Sequence, residues 1–315
     1  MQLGLVQWFP YPDVVRIRRT RATLERLGVT RLRTMLSWAD WCRPDGPAWI
    51  QRLLRELRGI DVLPVLHSTP PSFAEKPFSS SVPRNLGHYA YFVRWVCEQD
   101  VDRQLSHVQL WNEPTTWCEW DRDADRWWKR FAEMIRYAAR EAKAAGRKVV
   151  LAGISPPDGR LLVRPDPQVP HFLEIMEAEG ALEDVDVVAF HGFPGTPHWS
   201  VGWAGWGEEI AAISDWARER GKETWVTEAG SSRLMPASRL RELRMLVAAA
   251  RAAAVPRVYW YSVEDVTWTA QREINTDWGR DAHDYATGLT PDLEAEIAKI
   301  AAAAPAAPFR ARLRG

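Results

Sequence analysis

The chain has 315 residues, 46% of them hydrophobic, with 41 basic and 41 acidic side chains and a pI near 7.1. With a formal net charge of zero nothing suggests a polyanion partner such as nucleic acid, and no stretch of about 20 apolar residues is available for a membrane span. Three cysteines, Cys42, Cys97 and Cys118, come with no CxxC or Cys/His cluster, so neither a disulfide framework nor a zinc site is indicated.

Strand-like and helix-like segments alternate along the chain. The opening Met1-Gln-Leu-Gly-Leu-Val-Gln-Trp8 enters a strand at once, leaving no basic segment followed by an apolar run for secretion; as written, the chain reads as cytoplasmic. The patterns predict strands over 3–8, 30–36, 61–66, 107–112, 148–153, 185–190, 223–228 and 256–262, rich in Val, Leu, Ile and Trp as parallel strands covered on both faces should be. Helices are predicted over 13–27, 47–58, 86–100, 123–145, 169–179, 207–220, 237–253 and 291–303. The fourth carries Trp127, Phe131, Met134, Ile135 and Ala138 at helical spacing, with Arg, Glu and Lys opposite and Gly146 at its end. Eight uninterrupted βα units are the pattern of a closed (β/α)8 TIM barrel, an α/β single domain here spanning 1–304, followed by a low-complexity tail at 305–315. An open doubly wound sheet would want a glycine-rich first turn for a nucleotide, and Gln7-Trp-Phe-Pro-Tyr-Pro12 offers none.

In such a barrel the strand C-termini carry the chemistry. The fourth strand ends in Trp111-Asn112-Glu113-Pro114 and the seventh, Glu223-Thr-Trp-Val-Thr-Glu228-Ala-Gly, in a second glutamate. Two carboxyls so placed are the minimum for cleaving a glycosidic bond with retention, one as acid/base and one as nucleophile.

The Asn-Glu-Pro motif after strand four and the lone Glu after strand seven resemble the (β/α)8 glycoside hydrolases of clan A, with the β-xylosidase-like family 39 nearest, over about residues 2 to 300. The resemblance implies Glu113 as acid/base, Glu228 as nucleophile, Asn112 on the sugar 2-hydroxyl and Arg33, on the second strand, as the arginine bonded to the nucleophile. It places a site histidine at His191 and an aromatic floor at Trp260, and it departs at Phe193, where many relatives have a tyrosine whose hydroxyl contacts the nucleophile. Tyr259 and Tyr261 are the candidates to supply that hydroxyl from elsewhere. Each position also has a plainer reading: a turn or cap for Asn112 and Glu113, a rim salt bridge for Arg33, core histidines at His191 and His67.

His67, ending the third strand, is a further candidate hydroxyl ligand. Of 18 tryptophans, Trp38, Trp41, Trp117, Trp120, Trp199, Trp203, Trp206, Trp268 and Trp278 fall in βα connections, where indole faces can stack on sugar rings; Trp117 and Trp120 are the named subsites, while Trp95 and Trp216 read as packing. The expected partner is an oligo- or polysaccharide, held with no metal or organic cofactor. The expected activity is retaining hydrolysis of a β-linked saccharide, including a bacterial exopolysaccharide. The alternatives are a weakened barrel that binds saccharide or serves polysaccharide assembly, and a transglycosylase.

Overall fold

A computed structural model describes residues 1–100, 102, 104–116, 118–155, 171–194, 205–231, 238–265 and 286–303. Eight strands, β1 (Gln2–Val6), β2 (Arg31–Ser37), β3 (Asp61–His67), β4 (His107–Leu110), β5 (Lys148–Leu151), β6 (Val187–Gly192), β7 (Glu223–Ala229) and β8 (Arg257–Tyr261), pair in parallel and in sequence order, with β1 closing on β8. The helices of the described residues are α1 (Val14–Leu27), α2 (Trp38–Trp41), α3 (Gly46–Glu56), α4 (Leu86–Gln99), α5 (Lys129–Ala144), α6 (Phe172–Ala178), α7 (Trp206–Glu219), α8 (Arg239–Ala252) and α9 (Pro291–Ala302). This is the single (β/α)8 barrel that the alternating pattern predicts. Among the described residues no helix is long and apolar enough to cross a membrane.

Strand alternation sorts side chains into two layers. Leu3, Leu5, Leu32, Leu36, Val108, Leu110, Val188, Phe190, Val258 and Trp260 face outward into the main sheet–helix core. Val6, Leu63, Val150, Val187, Ala189, Trp225, Tyr259 and Tyr261 form a smaller cluster inside the barrel. The interior is packed: the Tyr259 ring lies so close to Gly4 that a Cβ there would sit 2.6 Å from two ring carbons. Below it, Asp61 lies 3.3 Å from both Arg31 and Arg257.

Several boundaries differ from the sequence reading for local reasons. The fourth strand stops at Leu110 because Trp111 takes a left-handed φ of 70°. Helix α5 starts at Lys129 rather than 123: Trp128 is left-handed (φ 51°) and Asp125 accepts from the backbone N–H groups of Arg130 and Phe131, ending the preceding turns and satisfying the helix start. At its other end Gly146 takes φ 71° and Arg147 N–H reaches Ala142 O at 2.9 Å, the Schellman stop expected of a glycine there. The predicted 305–315 tail and most of the connections after β6 and β8 lie outside the described residues.

Candidate active site

Two interruptions of strand regularity build the site. On β4, inward Gln109 and outward Leu110 obey alternation, which would next send Trp111 inward. The left-handed turn at Trp111 sends its indole into the outer core, bonded to Glu119 O at 2.7 Å, and turns Asn112 and Glu113 to the barrel axis. Glu113 is itself left-handed, with φ 34°, so the two non-glycine residues that flank Asn112 both hold costly backbone geometry at the strand end. On β7 the register jumps: Phe190 pairs with Val226 but His191 pairs with Glu228, leaving Thr227 extra. This bulge lets Thr227 and Glu228 both reach the interior, where simple alternation would send one outward.

Arg33 organises what meets there. Its guanidinium, fully buried and 5.1 Å from the Trp8 ring centre, donates from Nε to Gln109 Oε1 (2.8 Å), from Nη1 to Glu228 Oε1 and from Nη2 to Asn112 Oδ1 (2.8 Å), with His191 Nε2 3.4 Å from Nη2. Among the described residues Arg33 is the hydrogen-bond donor to Glu228, and Phe193 instead packs edge-on to Tyr261 at 5.7 Å. Neither tyrosine named from sequence replaces the missing hydroxyl: Tyr259 lies in the floor, and Tyr261 makes no hydrogen bond to Glu228.

His191 joins the two halves. Its Nδ1 stands 2.7 Å from Glu113 Oε1 and its Nε2 2.9 Å from Thr227 Oγ1. Burial first, and then the Arg33 charge, hold the imidazole well below its ordinary pKa, so it is neutral. Arginine can only donate, so Nε2 is the acceptor and the ring hydrogen is on Nδ1, donated to Glu113. The ring fits only because Gly153, just past β5, has no side chain: a Cβ there would lie 1.8 Å from Nε2.

The two carboxyls respond to their surroundings differently. Burial, then the charges of Glu228 and Glu119, push Glu113 well above the usual carboxyl range. Burial also raises Glu228, but the Arg33 charge and hydrogen bond pull it back. The first proton to leave the pair is therefore that of Glu228. Glu113, His191 and Glu228 each offer one atom within 4.8 Å of the others, a spacing that could hold a metal ion. The guanidinium bonded to Glu228 and adjacent to His191 already supplies the positive charge there, and a second cation would be repelled by it.

Of the residues singled out from sequence, Arg33, Asn112, Glu113, His191 and Glu228 meet in this one network. His67 is near it: its Nε2 lies 2.8 Å from Glu119 Oε2 and its ring 4.4 Å from Trp111. Trp120 and Trp260 do not fit their assigned roles. Trp120 is wholly buried, edge-on between Trp111 and Phe131 with Nε1 bonded to Asp125, and has no face for a sugar. Trp260 is an outward residue of β8, packed between sheet and helices; its inward neighbour Tyr261, beside Trp8 and Phe193, takes the barrel mouth. Trp38 and Trp206 are likewise buried core. Trp117, Trp199, Trp203, Trp268 and Trp278 lie outside the described residues. The sequence reading missed Gln109, Glu119, Gly153 and Thr227; only Gln109 carried a local signal, as a polar residue at an inward position of a short apolar strand.

The fold and the site together define a (β/α)8 barrel with a buried pair of carboxyls at the C-terminal ends of β4 and β7. Neither a protein-family profile nor a curated protein matches the sequence. Among solved structures, the chain is similar to a family 39 glycoside hydrolase from the gut symbiont Bacteroides cellulosilyticus WH2 (TM-score 0.66, 17% identity), covering 96% of this chain and 63% of that enzyme's length. It is also similar to the endo-β-1,4-mannanase of Thermotoga petrophila (0.64, 13%, covering 96% and 76%) and an endo-β-1,4-glucanase of Xanthomonas axonopodis pv. citri (0.61, 13%, covering 95% and 98%). At these identities the likeness is one of fold, and it is the fold of clan A glycoside hydrolases.

Proposed function

We propose that the protein is a retaining glycoside hydrolase that cleaves a β-linked oligo- or polysaccharide by double displacement. The observation that carries this reading is the asymmetry of two close carboxyls: oxygens of Glu113 and Glu228 lie within 4.8 Å, and only Glu228 bears the guanidinium. Retaining enzymes hold their carboxyl groups about 5–5.5 Å apart, whereas inverting enzymes leave about 6.5–9.5 Å for a water. On this reading Glu228 attacks the anomeric carbon as the carboxylate, while Glu113 gives its proton to the departing glycosidic oxygen. Because His191 donates to Oε1 of Glu113, the acid proton is carried on Oε2. Glu113, now a carboxylate, then takes a proton from water, which attacks the same carbon and frees Glu228. Trp8, Phe193 and Tyr261 offer aromatic surface for the sugar ring at the mouth.

A second reading, a barrel that binds saccharide without turning it over, draws on Phe193, which brings no hydroxyl to Glu228 where many relatives have a tyrosine. One experiment separates the two. The purified protein is incubated with a panel of dinitrophenyl 2-deoxy-2-fluoro-β-glycosides, and the intact mass is recorded with wild type and Glu228→Gln. The hydrolase reading expects one glycosyl adduct mapped to Glu228, absent in the variant, together with turnover of the matching aryl β-glycoside. Saccharide binding with neither adduct nor turnover across the panel would establish the binding reading instead.

A further inference from the structure

We propose that Glu119, a third buried carboxyl in the loop after β4, is a positioning residue that holds the Asn112 amide in a single orientation for the substrate. Donor and acceptor chemistry fixes which way the amide faces. Asn112 lies between Arg33 Nη2, 2.8 Å from Oδ1, and Glu119 Oε1, 3.3 Å from Nδ2. Arginine has only hydrogens to offer, so the Asn112 oxygen must face it, and the amide nitrogen then faces the Glu119 oxygen; the flipped amide would set donor against donor. Glu119 is itself anchored through its backbone, and its side chain lies against His67. Its backbone carbonyl accepts from the Trp111 indole at 2.7 Å, and its Oε2 lies 2.8 Å from His67 Nε2.

With Oδ1 committed to Arg33 and one Nδ2 hydrogen to Glu119, the other Nδ2 hydrogen remains for a ligand. Asn112 is only partly buried, so a ligand can reach it. On the proposed function that ligand is the hydroxyl next to the anomeric carbon, and Asn112 meets it as a donor. Without Glu119 the amide is tethered through Oδ1 only and its free hydrogen is no longer aimed.

The test has two readouts. In protein labelled with 15N-asparagine, the Asn112 side-chain amide signal is identified by its loss in Asn112→Ala. Glu119→Ala is expected to move that signal and Glu119→Gln, which keeps an acceptor oxygen, to leave it near its wild-type position. This arm needs no turnover, so it stands even if the protein proves not to be a hydrolase; an unmoved signal in Glu119→Ala overturns the proposal. In the kinetic arm, Glu119→Ala should lower kcat/KM on the parent aryl β-glycoside about 100-fold, the order expected for one aimed donor. On the 2-deoxy glycoside it should change by less than about 3-fold, because the contact it supports is already missing. Equal losses on both substrates, or a loss in Glu119→Gln as large as in Glu119→Ala, would mean a general structural or charge role and defeat the assignment.

Discussion

Gly153 supports the site by having no side chain. Its φ is not left-handed, so alanine meets no backbone penalty and Gly153→Ala tests space alone. The added Cβ would stand 1.8 Å from His191 Nε2, 2.3 Å from Cδ2 and 2.4 Å from Cε1. Non-bonded heavy atoms settle at about 3.5–4.0 Å, so the ring must retreat by roughly 2 Å. That exceeds the slack in its bonds to Glu113 (2.7 Å) and Thr227 (2.9 Å). Overpacking costs about 1–3 kcal/mol, and a buried partner left without its bond about as much again. A loss of about 2–6 kcal/mol, at about 2 °C per kcal/mol in a domain of this size, lowers Tm by about 4–12 °C. Activity should fall at least about 100-fold, because a displacement of even about 1 Å disorganises the proposed acid. Scanning calorimetry and aryl β-glycoside turnover measure both, with Gly207→Ala as a control, since nothing lies within 4 Å of a Cβ there. An unchanged Tm with full activity in Gly153→Ala would refute the argument.

The pH profile should be bell-shaped. Activity is lost toward acid as the carboxyl pair takes its second proton, on Glu228, and toward alkali as it gives up the last, from Glu113, with both limbs displaced upward by burial. Arg33→Gln removes the charge that draws Glu228 down, so its acid limb should move to higher pH; an unmoved limb would remove Arg33 from that role. Trp120→Ala should cost about 3–5 kcal/mol in denaturant titration, as the loss of a buried indole does, and leave KM for the longest saccharide unchanged; unaltered stability with a raised KM would return it to the substrate. Arg33→Lys keeps the charge but cannot reproduce the fork to Gln109, Glu228 and Asn112, so kcat should fall at least about 100-fold; near-normal turnover would show that charge alone suffices.

The barrel was legible because its strands bury both faces and its helices keep their spacing; both signals are local. What periodicity could not carry was the strand ends. At Trp111 a left-handed residue, and at Thr227 an extra one, shift which side chains face inward, and no composition signal marks either. The same limit explains Trp260 and Tyr261: adjacent aromatics at a strand end face opposite layers, and the choice depends on register with β1, where Trp260 pairs with Leu5 and Tyr261 with Val6. Asn112, Glu113, Glu228 and Arg33 were found because a motif named them. Glu119 and Gly153 were not, since their roles exist only in folded contacts, Glu119 through the shape of the loop after β4 that returns it to Asn112 and Gly153 through the neighbouring strand that carries His191.

Among the described residues the floor is closed, with Tyr259 seated against Gly4 and the interior filled beneath the carboxyls, so the site is approached from the C-terminal ends of the strands. On the proposed chemistry, the water that ends the cycle must arrive by the route the leaving saccharide takes out. Departure and arrival are then in series, and a lingering leaving group delays hydrolysis simply by standing in the way. Whether a second sugar or a water reaches the glycosylated Glu228 first becomes a matter of traffic at the mouth, governed by what Trp8, Phe193 and Tyr261 retain there.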